Sequence, residues 1–398
     1  MTSAIAALSG VMFLRMLAVF ITLPVVALYA NALQHSPSSA MLTGLALGAY
    51  GITQAAAQIG FGIFADRHGR KPALLAALAL FVIGGFWAGA AENIGTLIAA
   101  RLVQGVGAAA AAIMAWLADI SPPNMRGRAM AVAGAGVGLA FALSLFIAAP
   151  IAGHFGGGAR VFDLAALLGV VAFVVVLFLP PPVATDNDNN EKEDTGISAL
   201  SLLKMRGVFV IAAGAFSLHC ALAVLFLLLP RQLLNTIPLA DHWHIYAPAF
   251  LLSLPPAFYL LRRSDMRHNN NKKANAMPAP ILSMAVMPIA AGLFVIAGGI
   301  VLDAGAPVVW LFGLGLFLFF AGFNAMEAIL PALASRIAPP GKRGMVMGAV
   351  LSCQFAGLFV GGAGGGILSN IGDSFALSAA AVLILLWLVV ISKKHSGG

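Results

Sequence analysis

The sequence predicts an all-α membrane protein, with 12 transmembrane helices in two six-helix halves and both termini cytoplasmic. Three observations carry that expectation. Of the 398 residues, 61% are hydrophobic and only 9% are charged, against about 45–50% and about 25% in an ordinary soluble domain. The apolar residues fall in runs of about 20, the length that crosses a bilayer as a helix. Lys and Arg gather in alternate connections between those runs, the pattern that marks cytoplasmic loops.

In order, the expected spans are 6–30, 42–63, 72–91, 95–118, 129–152 and 160–180, then 207–231, 243–261, 278–302, 307–333, 345–368 and 374–392. These runs are continuous and rich in Ala, Leu, Val and Gly, unlike the short alternating segments of a membrane barrel. A helix also satisfies its own backbone hydrogen bonds, which lipid cannot do. Between the two sets, 181–206 follows the prolines at 180–182 and carries the polar run from Asp186 to Asp194. That composition reads as a linker. The expected organisation is therefore an N-terminal bundle over 1–180, a cytoplasmic linker over 181–206 and a C-terminal bundle over 207–398.

Placing the N-terminus inside puts 18 of the 22 Lys and Arg residues on inner connections or at the inner chain end, among them Arg67, Arg70, Lys71, Arg126, Arg128, Arg262, Arg263, Arg336, Lys342 and Arg343. The formal net charge of +8 is then a topology signal and calls for no nucleic-acid partner. Cys220 and Cys353 both lie in apolar runs, where they read as packing residues. The start of the chain has no basic segment ahead of its first apolar run, which reads as a retained helix. The halves also resemble each other. Pro122-Pro123-Asn124-Met125-Arg126-Gly127 follows the fourth run, and Pro339-Pro340-Gly341-Lys342-Arg343-Gly344 follows the tenth, at an offset of 217 residues. Parallel repeats of this kind place a substrate site between the halves near the bilayer midplane.

The connection after the second run reads Gly62-Ile63-Phe64-Ala65-Asp66-Arg67-His68-Gly69-Arg70-Lys71. It resembles the loop signature of the major facilitator superfamily, G-x-x-x-D-[RK]-x-G-[RK]-[RK], at every fixed position. The fourth run carries Arg101-Leu102-Val103-Gln104-Gly105-Val106-Gly107-Ala108, similar to the R-x-x-Q-G-x-G-A motif of that superfamily's drug/proton antiporters. A closer resemblance, through Phe13-Leu14-Arg15-Met16-Leu17, Tyr50-Gly51-Ile52-Thr53-Gln54 and Phe323-Asn324-Ala325-Met326-Glu327-Ala328, is to the YajR-like efflux transporters. Those proteins add a soluble C-terminal domain, whereas this sequence stops soon after its last apolar run.

The resemblance implies a gate at the inner loop. Gly62 and Gly69 suit a tight turn, and Asp66 lies beside Arg67, Arg70 and Lys71. By the resemblance, Asp66 latches against the start of the eleventh span near Gly344, and Asp119 is the partner of Arg70. It further implies that Arg101 acts in proton coupling through a nearby acid. The antiporters of this class often carry an acid in span one, where this chain has Arg15. Two cations against one acid leave room for an anionic substrate.

Ionisable residues inside a bilayer are costly and are functional candidates by default. Glu327 is the one acid placed well within a span, and burial disfavours its charged form, which suits a group that takes up and releases a proton. His219 is a second titratable candidate. Gln54, Gln58, Gln104, Asn324 and Gln354 are uncharged polar groups suited to a substrate cavity or to interhelical hydrogen bonds. The glycine-rich stretch 361–366 lacks the Lys-Ser/Thr of a phosphate loop, and Gly357, Gly361 and Gly365 are better read as close helix packing. Pro150 and Gly153 match part of the antiporter motif G-P-x-x-G-G in span five, while Ala149 and His154 depart from it. Asp241, His242 and His244 are too few to make a convincing metal site.

These readings converge on a secondary active transporter that exports a small amphipathic solute in exchange for protons. The alternatives are a uniporter or importer of an organic anion and, in another class, a non-transporting receptor. The expected setting is a bacterial inner membrane, as a multi-pass monomer with a small-molecule substrate, protons and lipid as partners and no cofactor. No nucleophile elbow or nucleotide loop supports an enzyme.

Overall fold

The computed structural model describes residues 3–34, 39–107, 109–122, 125–180, 202–270, 279–302, 308–339 and 342–392. Within helices, the side chains of Gly62, Asp66 and Arg343 fall outside that description, as does nearly all of the expected linker. Among the described residues the chain is helical throughout, with 14 helices. Two compact units divide the chain, Met1–Thr195 and Gly196–Gly398.

The first unit contains α1 (Ser3–Phe20), α2 (Val26–Ala32), α3 (Ala40–His68), α4 (Arg70–Gly89), α5 (Ile94–Val106), α6 (Ala110–Ile120), α7 (Arg126–His154) and α8 (Gly158–Phe178). The second contains α9 (Arg206–Leu234), a short 3-10 turn (Leu239–Asp241), α10 (Trp243–Asn270), α11 (Ala279–Leu302), α12 (Val308–Ile337), α13 (Arg343–Leu368) and α14 (Asp373–Ser392). Ten segments are long and apolar enough to cross a membrane by length and composition. The two expected spans outside that set are the second and the fourth. The second is α3, which has the length but carries Gln54 and Gln58. The fourth is divided into α5 and α6.

Two expected single spans are thus interrupted. The first run breaks over 21–25, where Pro24 cannot donate to a helical ladder. The chain tightens there into i→i+3 bonds, Leu23 N–H to Phe20 O at 3.0 Å and Val25 N–H to Thr22 O at 3.2 Å. The fourth run stops at Gly107, whose N–H turns back to Gln104 O at 3.2 Å. A Cβ at Gly107 would meet the Ala77 carbonyl oxygen at 2.6 Å, so only glycine lets this bend lie against α4.

The helices pair in the same way within each unit. In the first, α1 packs on α7, α3 on α5 and α4 on α8. In the second, the corresponding helices do the same, α9 on α13, α10 on α12 and α11 on α14. The repeated turns agree as well: Met125 N–H donates to Pro122 O at 2.8 Å, and Lys342 N–H to Pro339 O at 3.0 Å. The residues between, 123–124 and 340–341, lie outside the described set.

Lipid tails are as apolar as leucine, so helices in a bilayer associate through close packing. The α9–α13 seam shows how. Gly357, Gly361 and Gly365 sit one turn apart on α13, against Phe216, Cys220 and Val224 on α9. A Cβ at Gly361 would overlap the Cys220 carbonyl oxygen. Two fasteners hold α14 to α9. Asp373 opens α14 and accepts from Arg231 Nη2 at 2.5 and 2.6 Å, Gln232 Nε2 at 2.6 Å and Ser369 Oγ at 2.7 Å. At the other end, Trp387 Nε1 donates to Val210 O at 2.9 Å. Pro150 lies inside α7, and Gly153 near its end is exposed.

Gly361→Ala should destabilise the protein by about 1–3 kcal/mol through overpacking. Gly364→Ala, on the same helix but with open space at its Cβ, should be neutral or stabilising by up to about 1 kcal/mol. Thermal unfolding of the two purified variants side by side checks the difference.

Candidate functional site

The loop between α3 and α4 turns on Gly69, whose φ of 94° is a left-handed conformation that favours glycine. Pro72 follows in the first turn of α4, where its missing N–H breaks no ladder. Arg70 Nε donates to Asp119 Oδ2 at 3.0 Å, joining the start of α4 to the end of α6. Lys71 has a different task. Its Nζ donates to Leu177 O at 2.9 Å and Leu179 O at 2.6 Å, supplying a cation to the carbonyl end of α8. Arg67 and His68 are exposed, and the His68 ring stacks on Phe64 with centroids 4.4 Å apart. Asp66 stands in the last turn of α3, its side chain outside the described residues.

The interior of the first unit holds both expected cations. Arg15 on α1 has no solvent exposure. Its Nη2 donates to Tyr50 Oη at 2.8 Å, to Gln54 Oε1 at 3.0 Å and to Gly107 O at 3.3 Å. The last contact places the guanidinium at the carbonyl end of α5, where a helix favours positive charge. Arg101 on α5 donates through Nη1 to Gln104 Oε1 at 2.7 Å and lies over the Tyr50 ring at 4.8 Å and the Phe162 ring at 5.6 Å. Tyr50 therefore serves both arginines, one through its hydroxyl and the other through its face.

This arrangement revises two expectations. Among the described residues neither Arg15 nor Arg101 forms an ion pair, so the acid through which Arg101 was expected to act is not beside it. Gln54 and Gln104 are fully buried with their oxygens bound to guanidinium groups, and Gln58 is buried with neither amide atom bonded to protein. Gln54 and Gln104 are structural ligands of the arginines, not the open lining of a cavity.

The second unit gathers the remaining candidates. His219 on α9 is buried, with Nδ1 3.1 Å from Ala215 O and Nε2 2.7 Å from Gln354 Nε2 on α13. Glu327 on α12 approaches from another side, Oε1 lying 3.7 Å from His219 Nε2. That is beyond a hydrogen bond and within the range of strong charge coupling. The Glu327 side chain keeps 38% of its exposure, against 6% for His219, so the carboxyl is the more open of the two. Asn324, one turn before Glu327, donates to Ser253 Oγ on α10 at 3.0 Å.

Residue reading alone missed Tyr50 and Ser253. Tyr50 lies one helical turn before Gln54 on α3, a spacing that faces both the same way, and that was the available signal. Ser253 left none, because its partner is 71 residues away. Asp241 and His244 stand 3.7 Å apart and exposed, while His242 is buried. Among the described residues no group of three His, Cys, Asp or Glu is placed to hold a metal ion.

A helical membrane chain of two units with matching helix pairing, polar groups buried in each and a basic loop between α3 and α4 has the construction of a solute transporter. The chain matches the model of the Major Facilitator Superfamily over residues 8–362. It belongs to that superfamily, whose members are transporters and not enzymes, so it takes a small-molecule substrate across a membrane. It is 34% identical over 387 residues to the inner membrane transport protein YajR of Escherichia coli (strain K12), covering 97% of this chain and 82% of that protein. Its fold is similar to that of a D-xylose–proton symporter, with a TM-score of 0.75 at 16% identity over 98% of this chain and 96% of the other. A bacterial homologue of the human lysosomal transporter Spinster gives 0.77 at 15% identity, again over 98% and 96%.

Tyr50→Phe keeps the ring under Arg101 and removes the oxygen that Arg15 binds. A hydrogen bond to a charged group contributes about 1.5–3 kcal/mol, and the variant should lose stability on that scale. Denaturant unfolding against the wild type measures it.

Proposed function

We propose that this protein is a proton-coupled antiporter of the drug/proton type that exports a small amphipathic solute by rocking of its two units. In this reading it is a monomer in a bacterial inner membrane, with 12 spans and both termini in the cytoplasm. The location follows the Escherichia coli relative, an inner membrane transport protein, and the orientation follows the Lys and Arg distribution. One observation carries the coupling: Glu327 is a carboxyl group partway along a membrane-spanning helix, partly exposed and 3.7 Å from His219. A carboxyl so placed can load a proton from one side and release it to the other as the units move.

The loop from Gly62 to Lys71 is the inner gate of this mechanism. Arg70 with Asp119 and Lys71 with the end of α8 anchor it within its unit; the resemblance of the loop assigns Asp66 as the group that engages and releases.

A second reading is a uniporter or proton-coupled importer of an organic anion. It is favoured by the two buried guanidinium groups of the first unit, which no described carboxylate neutralises. An imposed pH gradient separates them: solute should move against the proton flow under antiport and with it under proton-coupled import, while uniport of a neutral solute should not respond.

Substrates found by a thermal-shift screen of the purified protein supply the assay. In proteoliposomes, Glu327→Gln should abolish substrate-driven proton flux, and unchanged coupling would remove Glu327 from the mechanism. Asp66→Asn should slow transport at least about tenfold, the effect of losing roughly 1.4 kcal/mol in a gating step, while substrate binding by thermal shift stays as in the wild type. Unimpaired transport in that variant would refute the gate.

A further inference from the structure

We infer that Gln354 is a positioning residue that selects the tautomer and charge of His219, and so decides when a proton on Glu327 can be shared with the imidazole. The inference deepens the proton-coupling reading and, in its coupling part, rests on it.

It starts from the two nitrogens of one ring. His219 Nδ1 faces Ala215 O at 3.1 Å. A carbonyl oxygen only accepts, so Nδ1 carries a hydrogen. His219 Nε2 faces the Gln354 amide at 2.7 Å, with the amide nitrogen turned toward it. An amide nitrogen only donates, so Nε2 presents its lone pair. With the amide in this orientation the ring is neutral and in its Nδ1–H form, an assignment that rests on which way Gln354 is turned. Aromatic contact adds orientation: the imidazole lies 5.7 Å from the Phe323 ring and tilted by 53° to it, and that ring is stacked on Phe319 at 5.5 Å.

A carboxamide has a property that suits this position. Turned over by 180°, it offers an oxygen where the nitrogen was, at nearly the same place. With the nitrogen toward the ring, Gln354 stabilises neutral His219. With the oxygen toward the ring, it accepts from Nε2–H and stabilises the imidazolium. Both states keep every hydrogen bond of the ring, so neither leaves a buried donor or acceptor unpaired.

Glu327 completes the exchange. A proton leaving Glu327 Oε1 for His219 Nε2 converts acid plus neutral ring into carboxylate plus imidazolium, with no change in net charge. The 3.7 Å separation then makes an ion pair in place of two neutral groups. The move requires Gln354 to turn over, because its N–H would otherwise oppose the new Nε2–H. The amide is thus the gate on proton sharing between α12 and α9.

Other charged groups around the ring are few. On α9 itself Cys220 is adjacent, with Arg206 and Arg231 at the ends; on α13 Cys353 precedes Gln354, with Arg343 and Lys342 at the start; on α12 Arg336 stands in the last turn. α14 brings Asp373, already bound to Arg231. The turn at 239–241, which also meets α9, brings Asp241, paired with His244. Glu327 is the described group within charge-coupling range of His219.

The test reads the ring directly. The full chain, labelled with 15N in its imidazoles and held in lipid nanodiscs, gives ring 15N shifts that report tautomer and charge, with His219→Gln assigning the signal. Wild-type protein near neutral pH should show protonated Nδ1 and bare Nε2. A wild-type ring in the Nε2–H form overturns the inference without any further variant. Gln354→Glu replaces the turning amide with a fixed acceptor and should convert His219 to imidazolium at a pH where the wild type is neutral. Gln354→Leu should move the titration midpoint by about one pH unit or more. A ring unmoved in both variants also overturns it. If these shifts occur while Glu327→Gln leaves proton flux intact, Gln354 sets the ring but the coupling assigned to Glu327 fails.

Discussion

A bilayer interior offers no water to a polar group, so a buried charge or backbone group left without a protein partner is costly. That constraint dictates helices, because only they pair backbone groups within one segment. It also explains the company each arginine keeps. Arg15 has a phenol, an amide oxygen and the freed carbonyl of Gly107, and Arg101 has an amide oxygen and two aromatic faces. The break in the fourth span and the cation on the first answer each other: the bend exposes a carbonyl, and the guanidinium occupies it.

The same constraint removes the usual reason for helices to associate. What remains is fit, and the fit here comes from glycine. At the α9–α13 seam Gly357 and Gly361 bring backbone against backbone, and Gly365 one turn on meets the Val224 side chain. Gly105 does likewise against Tyr50 between α5 and α3, and Gly322 against Ala285 between α12 and α11. This packing accounts for α3, which is long yet less apolar than its neighbours. Its Gln54 turns inward to an arginine, so the helix needs no uniformly apolar surface.

How much of this could be read from residues follows from how local each feature is. Span positions depend on about 20 adjacent residues, and the α7, α8 and α9 ranges lie close to the apolar runs that announced them. The interruption over 21–25 has a local signal in Pro24, yet the run also fits a continuous span, because prolines are tolerated in membrane helices when neighbours satisfy the freed groups. The bend at Gly107 had none, since glycine there answers the Ala77 carbonyl 30 residues away. Side-chain partners were the least legible. Gln54, Gln104 and Gln354 look alike in sequence as uncharged polar residues in apolar runs. Two of them turn out to bind guanidinium groups and one an imidazole, choices set by which helix lies alongside.

The two units share a skeleton and differ in chemistry, and the difference bears on mechanism. In each, the polar centre is built from the first and fourth spans of the half: Arg15 with Arg101 in one, His219 with Glu327 in the other. In the proposed mechanism the guanidinium groups of the first unit supply a lasting positive charge suited to orienting a substrate, and the imidazole and carboxyl of the second supply groups suited to exchanging protons. A duplicated fold that kept both functions in both halves would place a titrating acid beside a permanent cation. The acid would then stay ionised, held by its neighbour. On that reading, separating them leaves Glu327 next to a group that can be neutral, free to take up and release its proton.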